Sequence, residues 1–366
     1  MRSDILIIGG GIIGCASAYY LAKSGAEVTV VEKSQIGNGG SCRNGGGVRG
    51  SGRDLRELPL VTHSIKNIWH TLGEELDTDI EYCQEGNLRL GKTDEHMRIL
   101  TAIAEKGKKA GLDVEIIDSA RVREINPYIS EEVIGASWCK TDGHANPLMT
   151  TLGYYKAARK LGVSFVTGED VVGLKRVRGR VGRAKTKQST YEANTIILAA
   201  GYNSREILNT ASLDIPMRRI LLETLVTESC PPMFSQMIGT AKADFYGHQT
   251  AHGSFVFGGS SGYEPYSVQA NGEILQTANL PQTAEAIISY IPSLKNVKVL
   301  RAWSGFIDYC LDGVPVIDIA DEGLVVACGF TGHGFGLAPA AGAAAADLAK
   351  FGKTDIDISG LKYTRF

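Results

Sequence analysis

The sequence predicts an α/β protein in which a parallel, dinucleotide-type sheet is interwoven with an α+β lobe built on a large antiparallel sheet. Three observations carry this expectation. The run from Asp4 to Ile8, apolar after its first residue, leads straight into Gly9-Gly10-Gly11-Ile12-Ile13-Gly14, and such runs read as strands buried on both faces. Buried-type strands return in mid-chain, Thr195 to Ala200, and near the end, while longer alternating strands lie between them. The 44 glycines gather in three places, around residues 9–14, 37–52 and 329–336.

The elements follow in order. Cys15 to Ser24 has helical composition and Ala26 to Glu32 reads as a second strand, so strand, glycine turn, helix and strand fall within about 30 residues, a βαβ unit. The stretch from Asn38 to Gly52 offers no regular pattern. Leu55 to Leu76 predicts a helix, Ile80 to Leu90 strands, and Asp94 to Lys108 a charged surface helix. Asp142-Gly143-His144-Ala145-Asn146-Pro147 is a turn into a helix over Leu148 to Leu161, before a strand at Ser164 to Val166. Val171 to Lys187 reads as a basic hairpin. Ile215 to Gly259 holds long alternating strands, Gly272 to Tyr290 a helix, and Val297 to Val326 strands again. An Ala-rich helix runs from Leu337 to Lys350. The nucleotide-type segments are therefore 1–80, 142–214 and 300–366, and the second lobe is 81–141 with 215–299.

Bulk properties exclude several classes. A net charge of −2 gives no global field for nucleic acid or an anionic membrane. The apolar runs are too short for a bilayer span, and no cleavable leader is evident. Seven cysteines at 15, 42, 83, 139, 230, 310 and 328 form no C-x-x-C pair, so no zinc or iron–sulfur site is expected, and their odd number suits a reducing cytoplasm. His144, His248 and His252 lack metal-ligand spacing. The basic run Lys175, Arg176, Arg178, Arg180, Arg183 fits an exposed hairpin better than a nucleic-acid patch.

The first glycine cluster has a mechanical reading. Gly9 permits the tight turn, Gly11 lets backbone approach a pyrophosphate, and Gly14 lets helix pack on strand; Ile13 lies inside the same turn. The helix N-terminus offers free N–H groups to phosphates. Glu32, about twenty residues on, can accept from ribose hydroxyls. This is a Rossmann-like fingerprint. No second fingerprint appears in mid-chain for NAD(P)H. The third cluster precedes the last helix, whose N-terminus could stabilise negative charge on a reduced flavin by about 0.3–2 kcal/mol. FAD is therefore the favoured cofactor, with an NAD-dependent dehydrogenase as the rival.

With these motifs in view, the chain resembles the glycine oxidase, sarcosine oxidase and D-amino-acid oxidase family of FAD-dependent oxidoreductases. The matching stretches are D-I-L-I-I-G-G-G-I-I-G, S-C-R-N-G-G-G-V-R, D-G-H-A-N-P-L, I-I-L-A-A-G-Y-N-S, D-G-V-P-V-I-D and A-C-G-F-T-G-H-G-F-G-L-A-P. The FAD subunits of amino-acid dehydrogenases, sarcosine oxidase beta and proline or hydroxyproline dehydrogenases among them, look most alike. The resemblance implies that Glu32 and Lys33 hold the adenosine ribose, and that Gly40, Ser41, Arg43, Asn44, Gly45, Gly46 and Gly47 wrap the pyrophosphate and flavin edge. It implies that Val171 meets adenine through its backbone, that Gly201 closes beside the cofactor, and that Gly332, His333, Gly334 and Phe335 line the pyrimidine end. Arg49 matches an arginine near the substrate carboxylate, a role that suits a guanidinium, and Tyr246 matches an aromatic over the substrate pocket.

The departures also matter. Ile307 replaces a carboxylate-binding arginine, Gly336 a lysine, Val256 the lysine that activates oxygen, and Gly305 a cysteine that bonds flavin. Non-covalent FAD and a dehydrogenase are the expectations. Arg49, Tyr246 and His333 are the candidate catalytic residues, although backbone at 333 is expected to matter more than the imidazole. Trp303 reads as core and Cys42 as a thiol without a redox partner. The expected reaction is hydride transfer from substrate carbon to flavin N5, on a neutral amine and without a strong base. The chain would pass electrons to another subunit. A stand-alone oxidase using oxygen, and a flavin-binding scaffold without catalysis, remain alternatives.

Overall fold

A computed structural model describes residues 2–259 and 280–366. Its first sheet runs in the order Val316–Asp321, Leu324–Cys328, Thr190–Leu198, Arg2–Ile8, Val28–Glu32 and Ser164–Thr167. The pairings within the last five are parallel; only Val316–Asp321 is antiparallel to its neighbour. Leu6, Ile7, Val30, Ile196, Ile197 and Leu198 are inaccessible to solvent, as the uninterrupted apolar runs require. The hairpin Val171–Val177 with Arg180–Thr186 hangs from Thr190–Leu198.

The helices Ile12–Lys23 and Gly334–Phe351 pack on one face of this sheet. Their approach is so close that a Cβ on Gly342 would stand 2.4 Å from the Ala16 Cβ, which explains the small residues on the final helix. The expected helix Leu55 to Leu76 is two, Leu58–Asn67 and Trp69–Glu75, broken at Ile68. Beyond the break Trp69 is fully buried, stacks on Tyr82 at 5.4 Å and donates its Nε1 to the Gly336 carbonyl at 3.0 Å.

The second sheet has the order Val299–Cys310, Met217–Ser229, Ser254–Gly259, Phe245–Gln249, Met237–Thr240, Asn87–Gly91, Gly135–Cys139 and Val114–Asp118. All its pairs are antiparallel except Met237–Thr240 with Asn87–Gly91. The sequence reading differs here in one respect. Val299–Cys310, grouped above with the nucleotide segments from residue 300, pairs along its length with Met217–Ser229, from Met217↔Cys310 to Thr227↔Val299. The chain returns to the parallel sheet only after the Asp312-Gly313 turn. Of the expected helix Gly272 to Tyr290, Leu280–Tyr290 is present; 272–279 lie outside the described residues.

Gly14 shows why the opening turn has its sequence. A Cβ there would sit 1.9 Å from the Gly9 carbonyl oxygen, backbone that cannot yield. Gly14→Ala should lower stability by about 2 kcal/mol or more, since overpacking costs roughly 1–3 kcal/mol where neighbours can move. A urea midpoint unchanged from the parent chain would contradict this packing account.

Candidate cofactor and active site

A cleft of about 740 Å³ runs between the two sheets, within the roughly 300–1,000 Å³ of small-molecule sites. Ile8, Gly9, Val31, Glu32 and Ala199 line it at the carboxyl ends of the parallel strands, and Leu222, Thr224 and Tyr246 line it from the large sheet. A crevice at strand carboxyl ends is where open α/β sheets bind ligands.

One end is built around the opening turn. Gly9 has φ +108°, and a Cβ on it would meet the Ala199 carbonyl oxygen at 2.3 Å. The Glu32 carboxylate accepts from Gly10 N at 2.7 Å and Ser34 N at 2.9 Å, which fixes it beside the turn with lone pairs to spare for hydroxyls. Gly11, Ile13, Val171 and Gly201 share this wall. Lys33 donates to the Tyr202 hydroxyl at 3.1 Å, and Arg219 stacks on the same ring at 5.0 Å. Tyr202 and Arg219 both line the cleft; Tyr202 lies in the I-I-L-A-A-G-Y-N-S stretch without having been singled out, and Arg219 lies in no motif.

The glycine-rich loop forms the middle wall through Gly40, Ser41, Arg43 and Asn44. Ser41 Oγ accepts from Ile12 N at 2.8 Å, tying the loop to the helix start. Asn44 donates to the Ser41 carbonyl at 2.7 Å and accepts from Gly46 N at 2.9 Å. The large sheet grips the loop from outside: Trp303 Nε1 donates to the Arg43 carbonyl at 3.0 Å. Trp303, read as core from sequence, is a half-buried clamp on this loop. Gly45 and Gly258 enclose the Tyr246 ring, since Cβ atoms on them would lie 2.8 and 2.6 Å from it. Gly46, at φ +73°, lies against the Ala145 carbonyl, and Gly47 pairs with His144.

The far end carries Gly332, Gly334 and Phe335. Gly329, Thr331 and Gly332 are left-handed, with φ +75°, +53° and +76°. The helix Gly334–Phe351 that follows has no side-chain cap, so its first N–H groups remain available. Asp308 lines the cleft and accepts from Gly329 N at 2.7 Å. Burial, only partly offset by backbone hydrogen bonds, pushes its carboxyl up to about 6. The His333 imidazole turns to the fully buried Glu57, 3.1 Å from its Nδ1. Desolvation, then Arg53, holds His333 down at about 4. Burial alone would raise the Glu57 carboxyl, but the His333 hydrogen bond and Arg53 outweigh it and keep it below its ordinary value. Near neutrality a neutral imidazole thus donates to a carboxylate. Arg49 lies 5.6 Å from the Tyr246 ring centroid, and its buried Nε has no hydrogen-bond partner among the described residues.

The departures noted in the sequence have structural counterparts. Ile307 and Gly305 line the cleft, and the Arg43 side chain covers Gly305, 3.0 Å from where its Cβ would be. Gly336 sits on the Gly47–Val48 strand, where a Cβ would lie 3.2 Å from the Gly47 carbonyl oxygen; a lysine there would have to displace that backbone. Val256 pairs with His248. His144 and His248 stack at 3.7 Å, and no group of three metal-ligating side chains gathers among the described residues.

The residues fit FAD on the molecule's own terms. Bare backbone and one helix N-terminus meet a carboxylate suited to ribose at one end, and a second uncapped helix N-terminus faces the other. Together they define an FAD-dependent oxidoreductase. The chain belongs to the DAO family of FAD dependent oxidoreductases, whose pattern matches residues 4–348. It is 30% identical to sarcosine oxidase subunit beta of Rhizobium meliloti (strain 1021), over 99% of this chain and 88% of that protein. It is 27% identical to glycine oxidase of Bacillus subtilis (strain 168), over 94% and 92%. The structure of L-proline dehydrogenase from P. horikoshii superposes with a TM-score of 0.92 at 29% identity, covering 100% of this chain and 98% of that one.

Two outcomes test this geometry. Glu32→Ala should weaken FAD binding about tenfold or more, since hydrogen bonds to charged groups contribute roughly 1.5–3 kcal/mol; titration of flavin-free protein reads it. Asp308 has a folded-state pKa above its ordinary 3.8, so its favourable contribution is complete below pH 3.8 and is lost as pH rises to about 6. Asp308→Asn should flatten the stability of the flavin-free chain over that window. An unaltered pH profile would contradict the assigned burial.

Proposed function

We propose that the protein oxidises the carbon–nitrogen bond of a small amino acid or secondary amine, of sarcosine, glycine, proline, hydroxyproline or opine type. It does so as the FAD-bearing subunit of a dehydrogenase that passes electrons to a partner protein. The observation that carries the reading is Arg49, a guanidinium with a buried, unpartnered Nε beside Tyr246, which itself lines the FAD-sized cleft. A substrate carboxylate supplies the missing acceptor in bidentate form. The names of the relatives, sarcosine oxidase subunit beta, glycine oxidase and L-proline dehydrogenase, support the same class of substrate.

When bound, FAD supplies a two-electron acceptor for hydride from the carbon next to nitrogen. This chain's residues bind, orient and shield. Glu32 and Lys33 hold the ribose end; Gly9, Gly11, Ile13 and Gly14 shape the turn for the pyrophosphate. Ser41, Arg43 and Asn44, with Gly40 and Gly45 to Gly47, hold the middle, and Val171 and Gly201 flank the nucleotide. Gly332, Gly334 and Phe335 present backbone at the other end, where free N–H groups favour negative charge. His333 is a positioning residue: bonded to Glu57, it fixes the turn from which that helix starts. Arg49 anchors the carboxylate and Tyr246 walls the pocket. The substrate amine must arrive neutral, because its lone pair stabilises the developing iminium, and no side-chain base need take a proton.

FAD is held non-covalently, since Gly305 offers no thiol where some relatives carry a cysteine. Val256, apolar where oxygen-using relatives place a lysine, supports transfer to a protein acceptor over oxygen. No helix among the described residues is long and apolar enough to cross a membrane, and all seven cysteines are free, which supports a cytoplasmic location.

The test is anaerobic reduction of the flavin by a panel of these amines, with peroxide followed in air. Bleaching with little peroxide is expected, whereas rapid peroxide formation would move the assignment to a stand-alone oxidase. Arg49→Lys should raise KM for the amino acid about ten- to hundredfold, as loss of charge-assisted, bidentate geometry costs roughly 1.5–3 kcal/mol. An unchanged KM would remove Arg49 from the carboxylate site.

A further inference from the structure

The large sheet places one row of residues toward the cofactor loop. Across its strands Trp303, Thr224, Gly258, Tyr246, Gly239, Arg89 and Ser137 stand directly opposite one another in turn, and directly opposed residues project to the same face. Trp303 bonds the loop and Tyr246 lines the cleft, so the face they share with Arg89 is the cofactor-facing one. Gly239, between Tyr246 and Arg89, leaves a gap in that row. The Arg89 side chain leans into it, with Cγ 3.9 Å from where a Gly239 Cβ would be. Its guanidinium reaches the loop that carries Arg49, since Nη1 lies 2.1 Å from the position a Cβ on Gly52 would take. One arginine from the sheet and one from the loop are thus close enough to repel, Arg49 over the Tyr246 ring and the Arg89 guanidinium against Gly52.

Their charges lack local compensation. Among the described residues, neither the Arg49 nor the Arg89 guanidinium has a protein acceptor at hydrogen-bond or ion-pair distance. The two nearby buried carboxylates are committed elsewhere. Asp142 accepts from Gly50 N at 2.7 Å and from the backbone and hydroxyl of Ser51, attracting Arg89 only from beyond contact. Glu57 serves His333. Burial, then repulsion from Arg49 and Arg53, pulls Arg89 down to about 10. Desolvated cations are costly unless anions meet them.

We propose that Arg89 binds a second carboxylate, so that the substrate is an amino dicarboxylate of the N-carboxyalkyl amino-acid kind, held at one carboxylate by Arg49 and at the other by Arg89. This rests on the amine-oxidation reading above and narrows its substrate class. Within that class it disfavours sarcosine and glycine, whose single carboxylate would leave one guanidinium unmet.

The test compares iminodiacetate with sarcosine, which share a glycine unit and differ in one carboxylate, by anaerobic flavin reduction in the FAD-loaded full chain. The dicarboxylate should show a kcat/KM at least tenfold higher, and Arg89→Gln should cut that ratio at least tenfold, with Arg89→Lys recovering part of it. Anions that cannot be oxidised give a second readout: glutarate should perturb the flavin spectrum of the parent at least tenfold more tightly than butyrate, and Arg89→Gln should abolish the difference. A ratio of one or below in the parent, equal binding of glutarate and butyrate, or an unaltered ratio in folded Arg89→Gln would overturn the proposal. If Arg89→Gln does not fold, the parent's glutarate and butyrate affinities decide alone. If no amine reduces the flavin, the amine-oxidation reading fails, while tight glutarate binding would still place a dicarboxylate at Arg89.

Discussion

The carbonyl oxygen of Arg43 receives the indole N–H of Trp303 at 3.0 Å, and two residues earlier the Ser41 hydroxyl receives the amide of Ile12. These contacts tie the large sheet, through one glycine-rich loop, to the first helix of the parallel sheet. That loop is rich in glycine, and from residue 40 to 49 only Val48 joins the hydrophobic core. Its shape is imposed by what it touches on either side, and it forms the long middle wall of the cleft. The rest of the site depends on this tie, because the two ends of the cleft are carried by elements distant in sequence.

At both ends the chain uses the same physical device. A glycine turn delivers a helix N-terminus to the cleft, with Ser41 taking the first amide at one end and no side-chain cap at the other. At the first end the turn is so tight that Gly9 and Gly14 nearly touch, and the Glu32 carboxylate braces it through Gly10 and Ser34. At the second, a succession of left-handed residues aims the helix and His333 is anchored on a buried carboxylate instead of entering the cleft. Backbone amides need no ionisable group and keep their charge distribution over the pH range in which side chains titrate. Around Tyr246 the chain instead places charged side chains: Arg49 lies over the ring, and Arg89 is near enough to Arg49 to be repelled by it.

How far the sequence reading reached follows from these devices. The βαβ unit, the hairpin and the final helix were legible because each is set by local periodicity and turn chemistry. The cofactor turn was legible for the same reason: Gly9, Gly14 and Glu32 interact within about thirty residues of chain. Trp303 read as core because an indole in a strand gives no sign of which neighbour it will serve. Val299–Cys310 was grouped with the wrong sheet's segments, since strand partners are chosen by tertiary packing, and its alternation alone fits either lobe. Arg219 and Arg89 carried no motif at all, and Tyr202 lay in a motif that gave its side chain no role.

By itself the sequence determined the places where backbone packs directly on backbone, because only glycine tolerates the contacts that a Cβ would make with carbonyl oxygens at Gly9, Gly14 and Gly46. It also determined the acidic residue that meets the turn, since the second strand has a fixed length. The tertiary structure alone decided which residues share a face of the large sheet. Directly opposed positions 7 to 150 residues apart in the chain became a single row, and that registry sets Arg89 on the face it shares with Tyr246. Charge proximity is a property of strand pairing, and strand pairing is settled by which apolar faces are buried together.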